Sequence, residues 1–406
     1  MTAAGIRIQK EDKDMEYINL ERLKEDLLEL AQIGKTDTGI NRIAYSNEFW
    51  EACLMVKKKM TDAGMSARID SVGNVIGVLP GRTDRRIVTG SHLDSVPDGG
   101  IFDGCLGVMA ALEAVRTLKE HGIVLTHTLE VVAFAEEEGV VIGGLLGSKA
   151  YAGLPFSEKQ TTLMPQIIGI SPVQARTCRH QASPIDCFVE LHIEQGGVLE
   201  AEHKDIGIVE AIVGIRRFDV EFPGVANHAG STPMYLRDDA LLKAARFIER
   251  VNQLVKEIDS DMVGTAGSIH TKPDACNIIA GSAKLILELR SVREESMDQV
   301  LARLEEEFLP DGMEIRQTFG QPPVLMSDVV QNAIRAAGDS LGLKTHSMVS
   351  GAGHDTMVMA EITASGMIFV PSKGGVSHSK DEWTDWPDVG RGADALLQTL
   401  KELDKV

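Results

Sequence analysis

The sequence predicts an α/β protein, a mostly parallel twisted sheet dressed with helices, interrupted by a smaller inserted α+β domain. Three observations predict it. Short apolar runs such as "NVIGVLP", "RIVTGS", "LEVVAFA" and "CFVELHI" read as buried strands and alternate with amphipathic segments. Near Gly207 the pattern changes to the order β-α-β-β-α-β, that of a ferredoxin-like sandwich. The prolines of "GQPPV" then mark an extended connection, after which helices and strands alternate again from Asp328. The expected boundaries are 1–210 with 326–406 for the outer domain and 211–325 for the insert.

The elements follow in order. Asn19–Leu30 and Glu48–Ala63 carry helical apolar spacing. In "LGVMAALEAVRTLKEHG", Val108, Leu112, Val115 and Leu118 share one helical face and Gly122 is placed as a C-terminal cap. Within the insert, "GIVEAIVGIRRFDVEFPG" is strand-like and "RDDALLKAARFIERVNQLVKEI" is a long amphipathic helix. "GTAGSIHT" and "NIIAGSAKLILELRSV" are strands, "EESMDQVLARLEEEF" a helix and "MEIRQTF" a strand. A polar helix closes the chain.

Composition excludes several functions. With 41 Lys and Arg against 60 Asp and Glu, the net charge of −19 repels phosphate backbones and anionic membranes, so no nucleic-acid or membrane partner is expected. No apolar stretch approaches the roughly 20 residues that span a bilayer, and the N-terminus has no apolar signal core. The five cysteines are scattered and form no C-x-x-C pair, which suits a reducing cytoplasm.

Chemistry gathers at strand ends. "RIVTGS" runs into "HLDSVPDGGIFDG", placing His92 and Asp94 just past a carboxyl end, where open α/β sheets collect ligands. Glycines around Asp103 permit close approach. A second strand end presents "EEEG", Glu136 to Gly139; a third presents His192, Glu194 and Gln195; a fourth, after "GMIFV", presents His378. Carboxylates so crowded raise one another's pKa unless cations neutralise them. Imidazoles and carboxylates together form the donor set of Zn²⁺, Mn²⁺ or Co²⁺, and a pair of such ions would share a carboxylate.

"GSHLDSVPDGGIFDGCLGV", "EEEG", "ELHIEQGG", "NHAGSTPM" and "GGVSHS", in this order, resemble the M20 family of metallo-amidohydrolases. The likeness is to its ureido-hydrolysing branch of N-carbamoyl-L-amino-acid hydrolases, β-ureidopropionases and allantoate amidohydrolases, and runs from about Asn19 to Leu400. The resemblance implies two divalent ions per subunit. Asp103 would bridge them, His92 and His192 would complete one site, and Glu138 and His378 the other. Peptidase members usually carry a carboxylate where this chain has His192. Glu137 would transfer protons, Asp94 would orient His92, and Glu136 would remain a solvated spectator.

The resemblance also implies substrate contacts from Gln195, His228, Asn277 and Arg290, the last meeting a substrate carboxylate bidentately. In M20 dimers the histidine matching His228 reaches the partner's site to steady an oxyanion, so a homodimer through the inserted domain is expected. Two departures bear on the pocket: Ala280 replaces a usual proline, and Val141 and Ile142 replace an Arg-Phe pair. The implied reaction cleaves a carbamoyl or ureido C–N bond of a small molecule, releasing ammonia and carbon dioxide.

Rival functions are an M20 aminoacylase or dipeptidase and, less favoured, a non-catalytic binding protein that would lack a ligand; none is missing. "GDSLG" fits the serine-hydrolase pattern, but the preceding "VVQNAIRAAGDSLG" is helical where a strand and sharp turn are required. No G-x-G-x-x-G follows a strand. His121, His127, His180, His203, His270 and His346 are expected at the surface or in packing roles; His354 in "SGAGHD" is open to either a structural or a site-bordering role.

Overall fold

The computed structural model describes residues 15–179 and 184–405; the N-terminal stretch and His180 discussed above lie outside them. Six strands lead the chain: β1 (Ser66–Ile69), β2 (Val75–Leu79), β3 (Arg86–His92), β4 (Thr128–Phe134), β5 (Ile185–Ile193) and β6 (Ile206–Ile212). Four more follow, β7 (Gly214–Pro223), β8 (Val263–Lys272), β9 (Ser282–Ser291) and β10 (Glu314–Gln321), and then β11 (Val324–Leu325), β12 (Thr345–Ser350) and β13 (Ala364–Val370).

Two compact units result. The first takes the chain up to Glu210, Met326–Met348 and everything from His354; the second takes Ala211–Leu325 with Val349–Gly353. The larger sheet runs β1-β2-β4-β3-β5-β13-β6-β11, with β12 also paired to β6. Its centre is parallel: β4 to β3, β3 to β5 and β5 to β13. The flanking pairs β1–β2, β2–β4, β13–β6 and β6–β11 are antiparallel. The four parallel strands therefore deliver their carboxyl ends to one edge.

The helix Cys105–Glu120 makes the crossover between β3 and β4. Its predicted face is in place, with Val108, Leu112, Val115 and Leu118 all at 0% exposure. The adjoining loop is set by close approach. Gly104 has φ +65, and a Cβ there would lie 2.5 Å from the His92 ring, so only glycine lets the Asp103 loop pass beside that imidazole. The helix at the N-terminus is capped by Asn19, which accepts the Arg22 amide at 3.1 Å.

The second unit is a four-stranded antiparallel sheet ordered β10-β7-β9-β8. Helices Ala240–Ile258 and Glu294–Phe308 sit between its strands in sequence, completing β-α-β-β-α-β. Phe222, Phe247 and Phe308 pack edge-to-face with centroids 5.3–5.9 Å apart in its core. Ser340 of "GDSLG" ends the helix Asp328–Ser340 and donates to the Ala337 carbonyl, so no nucleophile turn forms. Among the described residues no helix is long and apolar enough to cross a membrane.

Leu112→Ala removes a fully buried side chain from the crossover helix and should lower stability by about 2–5 kcal/mol in denaturant melts. A loss below about 1 kcal/mol would show that this face is not the packed core of the unit.

Candidate metal centre

The parallel strands place the chemistry. His92 is the last residue of β3, His192 lies next to the end of β5, the glutamates follow β4, and His378 lies in the loop after β13. His92 Nδ1 donates to the Asp94 carbonyl at 3.0 Å and His192 Nδ1 to the Ile193 carbonyl at 2.9 Å. With Nδ1 occupied in this way, both rings turn Nε2 towards Asp103. Asp103 Oδ1 lies 3.5 Å from His92 Nε2 and 3.1 Å from His192 Nε2. Its Oδ2 lies 3.3 Å from His378 Nε2, which is itself 3.6 Å from Glu138 Oε2.

The two oxygens of one carboxylate thus face two separate donor sets. Groups within 4.8 Å of one another include His92–Asp103–His192, Asp103–Glu138–His378 and His92–Glu137–Glu138. Glu138 Oε1 is buried and has no hydrogen-bond partner among the described residues. A buried carboxylate oxygen without a donor, beside imidazole nitrogens that offer lone pairs, fits a divalent cation.

The electrostatics agree with that fit. Burial, and then Asp103, push Glu138 up to about 7. Burial drives Glu137 well above the carboxylate range against the pull of His92. The hydrogen bond to Asp103 lifts His378 to about 9 although burial opposes it. For Asp103 burial acts upward, but the three surrounding imidazoles win and hold it well below its ordinary value. These protons occupy the positions a cation would take.

The expectation for Glu136 is corrected, and other expected residues gain partners. Asp94 meets His92 through its backbone carbonyl; its carboxylate is 3.9 Å from Nδ1 and instead accepts the amides of Glu137 and Glu138, both at 3.2 Å. It therefore positions the glutamates as well as the histidine. Glu136 is not a solvated spectator. It is 0% exposed, and its Oε1 accepts the amides of Val141 at 2.8 Å, Gly143 at 2.9 Å and Ile142. The Gln195 amide donates to Asp103 Oδ2 at 3.0 Å, so in this structure it is turned to the carboxylate. Ile142 packs in an apolar cluster with Val72, Leu146 and Met164. Ala280 is buried in the second unit's core.

Residues that sequence reasoning left unassigned complete the surroundings. Glu382 accepts the amides of Phe102 and Asp103, Glu194 accepts those of Val198 and Leu199, and Glu190 accepts the Ser91 hydroxyl. Buried His354 packs edge-on against His192 with centroids 4.6 Å apart.

In the second unit, His228 is exposed and bridges to Ile278, while the Asn277 carbonyl accepts the Ala229 amide at 3.0 Å. His228 Nδ1 accepts the amides of Gly230 and Ser231 at 3.0 and 3.1 Å. In the neutral ring this puts the proton on Nε2, a donor. Arg290 sits elsewhere: its guanidinium pairs with Glu288 at 2.7 Å and donates to the Gly351 carbonyl at 2.6 Å.

The model of peptidase family M20/M25/M40 matches residues 88–402. The chain belongs to the M20 family. That family is metal-dependent, and the clustered groups around Asp103 are its candidate ligands here. The chain is 37% identical over 405 residues to an N-carbamoyl-L-amino-acid amidohydrolase of Paenarthrobacter aurescens, covering 95% of this chain and 98% of the relative. It is 36% identical over 396 residues to an allantoate amidohydrolase of Bacillus subtilis, covering 92% and 95%. Among solved structures, a hydantoinase/carbamoylase family amidase of Burkholderia multivorans superposes with a TM-score of 0.88 at 32% identity, covering 95% of this chain and 98% of that one.

Metal uptake by this M20 chain should release protons. At pH 6 His378, held up to about 9, and Glu138, held up to about 7, are both largely protonated, and each must lose its proton to ligate. Affinity for Mn²⁺ measured by chelator competition should therefore rise by about tenfold or more between pH 6 and 9. An affinity that does not change with pH would contradict these assignments.

Proposed function

We propose that this chain hydrolyses the carbamoyl or ureido C–N bond of an N-carbamoyl-L-amino acid or allantoate, releasing ammonia and carbon dioxide. The observation that carries the reading is Asp103 dividing its oxygens between two donor sets. The substrate class is supported by full-length relatives named for those substrates. His92, His192 and Asp103 would hold one ion, and Asp103, Glu138 and His378 the second. Bound Zn²⁺, Mn²⁺ or Co²⁺ would polarise the ureido oxygen and acidify the attacking water.

The chain's own residues supply the rest. Glu137, driven upward by burial, accepts the water's proton and returns it to the leaving nitrogen. Asp94 fixes where Glu137 and Glu138 stand by gripping both amides. Gln195 is poised to turn from Asp103 to the ureido group. Arg290 would exchange Glu288 for the substrate carboxylate, a bidentate fit. His228 would present Nε2–H to the developing oxyanion.

His228 and Arg290 cannot serve one small substrate from one chain. Arg290 pairs with Val263 near one end of the β8–β9 hairpin, whereas Asn277 and the residue bridged to His228 lie in the loop beyond the Ser282–Lys272 pair at the other. Eight residues of strand separate the ends, about 26 Å. A two-fold dimer in which the second unit lends His228 and Asn277 to the partner resolves this, and makes the active form a homodimer. Cytoplasmic residence belongs to the same reading, since all five cysteines are free and four are buried.

Ammonia release should be seen with N-carbamoyl-L-amino acids or allantoate; turnover confined to N-acetyl amino acids or dipeptides would move the chain to the aminoacylase or dipeptidase class. For the shared site, His228→Ala and Glu137→Gln proteins should each be nearly inactive. Random subunit exchange between them should restore about a quarter of wild-type activity, because half the dimers are mixed and each has one intact site. Verified exchange without recovery would rule out the shared site.

A further inference from the structure

Glu382 lies in no motif that carries the chemistry, yet its carboxylate touches both loops that flank Asp103. The residue is 3% exposed. One oxygen, Oε1, accepts the backbone amides of Phe102 at 3.0 Å and of Asp103 itself at 3.1 Å. The other, Oε2, accepts the Ser377 hydroxyl at 2.9 Å, one residue before His378. The amide of Glu382 in turn donates to the Ser379 carbonyl at 3.0 Å, closing the His378 loop on itself. Segments some 280 residues apart in sequence are thus joined through one carboxylate.

The space for it is made by Gly100. A Cβ at that position would lie 2.1 Å from Glu382 Oε1, 2.2 Å from its Cδ and 2.5 Å from its Cβ. Any side chain there displaces the carboxylate. The glycine of the "GGIFDG" loop therefore has a specific partner.

We propose that Glu382 is a positioning residue that clamps the Asp103 loop to the His378 loop, with Gly100 as the space it requires. The proposal rests on Asp103 and His378 being metal ligands. Two ligands on separate loops lose affinity when their relative placement relaxes, even though neither is altered; outer partners of this kind typically change metal affinity by 10–100-fold. Because the clamp works by accepting backbone N–H groups, an amide oxygen at the same place can do the same, and its NH₂ can donate to Ser377.

The test uses the full-length protein and four variants, Glu382→Ala, Glu382→Gln, Gly100→Ala and the double variant Gly100→Ala/Glu382→Ala. In metal-free protein, hydrogen exchange across residues 100–104 should speed up in Glu382→Ala and Gly100→Ala, and stay near wild type in Glu382→Gln. Mn²⁺ affinity, by chelator competition, should fall about 10–100-fold in the first two and by less than about threefold in Glu382→Gln. Gly100→Ala should cost little once Glu382 is already alanine, since the clash is gone. Wild-type exchange and affinity in a folded Glu382→Ala protein would overturn the clamp. So would a Gly100→Ala penalty undiminished in the double variant. A wild-type protein that takes up no Mn²⁺ would instead overturn the metal assignment, and the exchange data would then report on the loop contact alone.

Discussion

The structure is organised around one electrostatic constraint: carboxylates and imidazoles from three strand ends are largely buried around Asp103, with the more exposed His378 closing the cluster from a fourth. Asp94, Asp103, His92 and His192 are each at most 7% exposed. Buried charge is expensive unless it is paired and hydrogen-bonded. The raised values of Glu137 and Glu138 are that expense expressed as proton occupancy, and the depressed value of Asp103 is its compensation by the surrounding imidazoles. A divalent cation in place of those protons relieves the same strain, which is why the arrangement makes chemical sense as a metal centre.

A second layer of carboxylates holds the first in place. Asp94 grips the amides of Glu137 and Glu138, Glu136 those of residues 141–143, Glu194 those of Val198 and Leu199, and Glu382 those of Phe102 and Asp103. These bonds are set against local backbone strain: Glu136, Gln195 and His378 have φ of +57, +58 and +51, the left-handed region that side chains avoid. Strained residues gathered at one site indicate that surrounding contacts over-determine their positions.

Much of this was legible in the sequence. The crossover helix was visible in the spacing of Val108, Leu112, Val115 and Leu118, and the sheet's carboxyl edge in apolar runs that end on His92, "EEEG" and "ELHIEQ". Such features depend on neighbours a few residues away. What was not legible depends on distant ones. Glu136 looks like the first of three surface charges until the chain folds back and puts residues 141–143 over it. Glu382 reads as a polar loop residue because its partners lie 279 and 280 positions earlier. The carboxylate of Asp94 sits two residues from His92 and invites a local assignment, yet its partners are amides after β4. The antiparallel flanks of the sheet likewise come from pairings that no local pattern encodes.

The proposed function depends on Asp103 being shared between two cations. Anomalous scattering from crystals of the metal-free protein soaked in Mn²⁺ tests it most directly. Two peaks are expected on either side of Asp103, one ringed by His92 and His192 and the other by Glu138 and His378. A single peak, or peaks away from Asp103, would contradict it.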